Sequence, residues 1–134
     1  MQFKRLTITT LFSFFVFLGS FAQSGNRTAE WTPQLKQESK GNSSVSYQFS
    51  LDANDISLQE VSDKGKLYAK FIAASCESNK GRIDCQVHLL KDEFSNQMVF
   101  KRYLMNLGVT QIQHRNDSYT RDEFFDRFVL TEKE

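Results

Sequence analysis

Alternation of apolar and polar residues marks two long segments of the chain as β-strands. Every second residue is apolar over Val45–Asp52 and again over Arg82–Leu89, and a further strand is predicted over residues 110–114. Side chains of a strand point to opposite faces in turn. Each long segment therefore predicts a strand with one buried face and one polar face.

Helical spacing predicts two well-defined helices later in the chain. Apolar residues recur every three or four positions over residues 94–107, and Gly108 is typical of a left-handed helix end. A second helix is predicted over residues 121–130. Thr120 and Glu123 have the spacing of a capping box at its start.

Residues 66–76 fit either a helix or a strand, and the residues that follow favour the strand. If Lys80 and Gly81 form a two-residue hairpin loop, Cys76 and Cys85 face each other on adjacent strands. Facing cysteines predict a disulfide, and one register then accounts for both the turn and the cysteines.

The order of elements predicts the fold class. With a short helix over residues 54–64, the core order is βαββαβ, to which the terminal helix is added. We therefore predict an α+β fold, a ferredoxin-like two-layer sandwich with an extra C-terminal helix. The predicted domain covers residues 45–134, and the polar, aperiodic residues 23–44 are predicted to be a flexible lead-in.

The first 22 residues have the pattern of a signal peptide. Lys4 and Arg5 precede an apolar run over residues 6–18, and small residues then lead to a cleavage site before Gln23. Cleavage changes the formal net charge from +1 to about −1. We expect a periplasmic or secreted protein with no membrane anchor after cleavage and no affinity for nucleic acid.

Cys76 and Cys85 carry the strongest chemical signal in the chain. They are not spaced as the CxxC of a redox or zinc site, so a structural disulfide is the favoured interpretation. No cofactor is predicted. A domain that handles metal or exchanges thiols through this pair is the alternative.

Two further kinds of site are weighed against structural roles. His88 and His114, with Asp84 as a third ligand, are the candidates for a metal site, although solvent-facing histidines without a ligand are favoured. Asp52 and Asp55 lie at a strand-to-helix turn and would serve a small hydrolase, but helix capping explains them equally well. No catalytic motif is recognised, so an enzyme is not favoured.

Aromatic residues supply candidates for contact with a partner. Phe124, Phe125 and Phe128 lie on one side of the terminal helix. Trp31 stands alone in the polar lead-in, where it would dock on a partner or, as favoured, on its own domain. We expect an unidentified protein or envelope component as the partner, bound through these aromatic residues or through the polar face of the sheet.

The layout over residues 45–114 resembles small domains of the heavy-metal-associated type, which share the βαββαβ order. Those domains carry a CxxC in the first strand-to-helix loop, where this chain has Asp52-Ala53-Asn54-Asp55. The resemblance therefore implies the fold without the copper-binding residues. The signal, which ends in Phe21-Ala22-Gln23, is similar to those of small exported proteins of the Bacteroidota.

Overall fold

A computed structural model describes residues 26–38 and 45–131, so the predicted signal peptide lies outside the described residues. The strands are β1 (Arg27–Trp31), β2 (Gln37–Glu38), β3 (Val45–Asp52), β4 (Ile72–Asn79), β5 (Arg82–Leu89), β6 (Val109–His114) and β7 (Asp117–Thr120). The helices are α1 (Leu58–Lys66), α2 (Phe94–Asn106) and α3 (Arg121–Phe124), and α3 continues as one turn of π-helix (Phe125–Val129).

The strands form one sheet in the order β4-β5-β3-β1-β6-β7, with β2 pairing to β3. All pairings are antiparallel except that of β1 with β6, which is parallel. The α+β class is confirmed. The strand order, however, is not that of a simple ferredoxin-like sheet, because β1 lies between β3 and β6.

The helices cover one face of the sheet and enclose a single aromatic-rich core. Trp31 is at its centre, stacked on Phe49 with ring centroids 5.4 Å apart and 4.7 Å from the ring of Phe124. The largest fully buried side chains are Tyr47, Tyr103, Phe49, Phe100, Phe124 and Phe125. Burial of this much aromatic surface is the main driving force for the fold.

The hairpin prediction is confirmed. Residues 66–76 divide into the end of α1, a turn and the start of β4, which pairs antiparallel with β5. Lys80 and Gly81 form the loop with φ angles of 51° and 82°, the two positive values that a type I′ turn requires. Cys76 faces Cys85 and the two are joined by a disulfide.

The prediction of a flexible lead-in over residues 23–44 is wrong for the part of it that the structure describes. Residues 27–31 are an interior strand of the sheet. The sequence signal was weak because β1 presents just two apolar residues, Ala29 and Trp31, to the core. Trp31 Nε1 also donates a hydrogen bond of 2.9 Å to the carbonyl of Leu35, which holds the irregular segment after β1.

The helix ends agree with the sequence in part. Thr120 Oγ1 accepts from the amide of Glu123, as the capping-box spacing predicts, and Ser57 Oγ accepts from the amide of Glu60 at the start of α1. The short helix predicted over residues 54–64 instead covers Leu58–Lys66. Gly65 lies buried within its last turn, where an added Cβ would meet the Cβ of Ala74 at 3.1 Å, so a close approach to β4 explains the glycine.

Candidate functional site

The side of the sheet away from the helices is an open face, formed by the polar residues that alternate with the buried ones along the strands. On β3, Ser46, Gln48 and Ser50 point to this face. The residues paired with them on β5 are His88, Gln86 and Asp84, and those paired in turn on β4 are Ala73, Ser75 and Glu77. Glu30 of β1 extends the face beside Ser50. The alternation that buries one side of these strands thus builds a polar surface on the other.

A groove of about 560 Å³ crosses the open face. Its polar lining comes from Gln48 and Ser50 of β3, Ser75 and Glu77 of β4, and Asp84 and Gln86 of β5. It reaches Thr32 at the end of β1 and also touches the Cys76–Cys85 pair. Hydroxyl, amide and carboxylate groups fit a ligand that forms hydrogen bonds, and no Phe, Tyr or Trp side chain lies on the open-face side of β3, β4 and β5.

Asp84 is held in place and in its charged form. Asn79 Nδ2 donates to Oδ2 at 3.0 Å and Ser50 Oγ donates to Oδ1 at 2.8 Å. These hydrogen bonds, with a smaller contribution from Arg82, lower the pKa of Asp84 below its ordinary value of 3.8. Arg82 itself forms an ion pair of 2.9 Å with Glu30. Asp84 is therefore a fixed negative charge, the opposite of the protonated carboxyl that a general acid needs.

Glu77 stands directly opposite Asp84 on the edge strand, and its side chain is exposed. Like charges at facing positions of two strands destabilise a sheet. No ion pair to Glu77 is found among the described residues. The groove consequently has a net negative end at β4.

The histidines do not form a metal site with Asp84. His88 is on the open face and shares a hydrogen bond of 3.1 Å with Ser46 Oγ. His114 faces the core with 8% exposure, packed edge-on against Phe124. The expectation of two solvent-facing histidines is therefore wrong for His114, because His114 lies on the same, buried side of β6 as Ile112. Within 26–38 and 45–131, no group of three or more His, Cys, Asp or Glu residues could hold a metal.

The aromatic candidates belong to the core. Trp31 is 5% exposed and Phe124 and Phe125 are fully buried, while Phe128 is partly buried against them. Trp31 thus docks on its own domain, as favoured. Side chains this deeply buried are not available to a partner, which leaves the open face as the exposed candidate surface.

The acidic turn after β3 has a structural role. The amide of Asn54 donates to Asp52 Oδ1 at 2.9 Å. The carbonyl of Asp55 accepts hydrogen bonds from both Nε and Nη2 of Arg27. These contacts close the turn and attach β1 to it. The groove lies on the open face, beside Asp84, and not at this turn.

Sequence reasoning named Asp84, Cys76 and Cys85 but missed the other residues of the groove. Gln48, Gln86 and Ser75 lie in one row across three adjacent strands. The polar residues of each alternating strand were the signal that could have identified them, once the strand register was known.

No protein-family model, curated protein or solved structure matches the chain. The resemblance to heavy-metal-associated domains therefore stays a prediction. No helix of the described residues is long and apolar enough to cross a membrane.

Proposed function

We propose that the protein is an exported, non-catalytic binding domain that contacts a protein or envelope partner through the open polar face of its sheet. The observation that supports this proposal is the groove across β4, β5 and β3, which is lined by side chains able to form hydrogen bonds with a partner. Since the aromatic residues of the terminal helix are enclosed in the core, the open face is the exposed surface among the candidates for contact with a partner.

The proposed export to the periplasm or beyond rests on the signal pattern of residues 1–22 and on the Cys76–Cys85 disulfide, a bond typical of oxidising compartments. We also propose that the fold is a ferredoxin-like arrangement with β1 inserted. Support comes from the order of the remaining strands, since β4, β5, β3 and β6 follow one another once β1 is set aside.

The two alternatives receive less support. A thiol-redox or metal-handling role keeps one favourable observation, since both cysteines line the groove, but Cys85 is only 3% exposed. A hydrolase would need a carboxyl with a raised pKa. The carboxyl pKa shifts resolved in the structure, at Asp84 and Asp122, are both downward.

The test replaces two residues of the groove with arginine, which adds two large positively charged side chains. The Gln48→Arg/Gln86→Arg double variant fills the middle of the open face, while Arg102→Gln alters an exposed residue of α2 on the opposite side. All three chains are tagged and expressed in the cells that export the protein, and partners are recovered from the envelope fraction and quantified. We expect the double variant to lose at least nine-tenths of a specific partner that wild type and Arg102→Gln retain. Equal recovery by all three chains, with unchanged melting temperatures, would exclude the open face.

A further inference from the structure

The edge of β4 presents unpaired backbone groups in a row. The Cα atoms of Cys76 and Cys85 are 4.2 Å apart, the spacing of a non-hydrogen-bonded antiparallel pair. Because the two kinds of pair alternate along a ladder, Ala74 and Ser78 are also in non-hydrogen-bonded pairs with β5. The N–H and C=O groups of Ala74, Cys76 and Ser78 therefore point away from β5. Within the described residues no strand and no backbone group pairs with them.

The two edges of the sheet differ in how they are protected. β7, at one edge, is four residues long and begins with the charged Asp117. β4, at the other edge, is eight residues long, is rich in alanine and serine, and has Glu77 as its one charged residue. Short and charged edge strands resist pairing with another chain, whereas a long strand with small side chains is a template for it.

The charge beside this edge selects the partner. A strand added to β4 would lie about 4.8 Å away, and alternate side chains would project onto the open face next to Ser75 and Glu77. There they would meet the negative end of the groove, where Glu77 faces Asp84. A lysine or arginine at such a position would relieve the repulsion between these two carboxylates.

A second copy of the chain fits this edge less well. In an antiparallel pairing of two β4 strands, every charge contributed by the strands is a Glu77, so the pairing supplies no cation to the open face. The observations therefore favour a different partner that carries its own positive charge.

We propose that the free edge of β4 binds an extended peptide segment with basic residues on one face, which adds as an eighth strand and sets its cations against Glu77 and Asp84. The proposal rests on the function proposed above and names the partner of the same face. The main-chain hydrogen bonds would supply most of the affinity, and the groove would select the charge.

The probe is an acetylated and amidated octapeptide, VKVTVKVT, titrated into the full chain purified from exporting cells with its disulfide intact. Calorimetry measures the affinity, and NMR measures amide hydrogen exchange at Ala74, Cys76 and Ser78. One control peptide has glutamate in place of both lysines. Another is methylated on alternate backbone nitrogens, which removes donors and leaves the side chains unchanged.

We expect the probe to bind and to slow exchange at those three amides. The Glu77→Gln variant should bind it about two- to five-fold more weakly, as is typical for loss of one surface ion pair. Glu93→Gln, which removes an exposed glutamate at the start of α2, should leave the affinity unchanged. The glutamate peptide should bind more weakly than the probe, and the methylated peptide should not bind.

The proposal is overturned if the probe leaves the three amides unchanged, or if the methylated or glutamate peptide binds as tightly. Protection of these amides in the free chain, together with a dimer by sedimentation, would also overturn it by identifying a second copy as the occupant. If the peptide fails while the Gln48→Arg/Gln86→Arg variant still loses its partner, the edge proposal alone is wrong. If that variant keeps its partner, the proposed function itself fails.

Discussion

Trp31 offers a direct test of whether the sheet extends into the polar segment before Val45. Its indole contacts the rings of Tyr47, Phe49, Phe100, Phe124 and Phe125 at centroid distances of 4.7–6.5 Å. If residues 27–31 are an interior strand, Trp31→Ala leaves a cavity in the middle of the core. If they are a flexible lead-in, the same change affects nothing.

The expected cost of Trp31→Ala is large for a domain of this size. Truncation of a buried tryptophan to alanine costs about 3–5 kcal/mol, against a total stability of about 5–15 kcal/mol. With a slope of about 1.5 kcal/mol per M urea, the unfolding midpoint should fall by about 2–3 M. Trp31→Phe keeps an aromatic ring but loses the hydrogen bond to the Leu35 carbonyl, so its midpoint should lie between those of the other two proteins.

The measurement is urea unfolding followed by far-ultraviolet circular dichroism, since Trp31 is the chain's single tryptophan and its fluorescence is absent from the variants. Leu67→Ala is the control, because Leu67 is 71% exposed and its truncation should change stability by less than about 0.5 kcal/mol. A Trp31→Ala chain as stable as the Leu67→Ala chain would refute the placement of β1 in the sheet.

Three further predictions concern the hairpin and the groove. Gly81→Ala should cost about 1–2 kcal/mol from backbone conformation, since φ is +82° and nothing lies within 4 Å of the added Cβ; an unchanged urea midpoint would contradict this. Replacing Cys76 and Cys85 by alanine should lower the free energy of unfolding by about 2–3 kcal/mol. A loss below about 1 kcal/mol would contradict a structural role for the disulfide. Ser50→Ala should move the pKa of Asp84 upward toward 3.8 in an NMR titration of its carboxyl group. Because the folded pKa is the lower one, the stabilisation from Asp84 is present above pH 3.8 and is lost as the pH falls through the folded pKa, and the variant should lose part of it.

The elements with strong local signals were predictable from the sequence. The alternation of β3 and β5 fixed which residues are buried, and the pairing of Cys76 with Cys85 followed from the loop at Lys80 and Gly81. Thr120 caps the last helix as its spacing predicts. In each case the signal lies within a few residues of the feature that it predicts.

What the sequence did not reveal depends on contacts between distant residues. β1 has two core-facing side chains, and its place between β3 and β6 is set by the fit of Trp31 among rings from β3, α2 and the terminal helix. His114 is buried because β6 packs under the terminal helix. The groove depends on the register of three strands, so its row of Gln48, Gln86 and Ser75 was not visible in the linear pattern.

Site-specific photocrosslinking tests most directly whether the open face is the binding surface. A photoreactive amino acid replaces Gln86, in the middle of the groove, or Met105, which is 52% exposed on α2. The two chains are irradiated in the cells that express them, and adducts are resolved by mass. We expect an adduct of one defined mass at Gln86 and none at Met105. An adduct at Met105 alone would place the partner on the helical side and contradict binding through the open face.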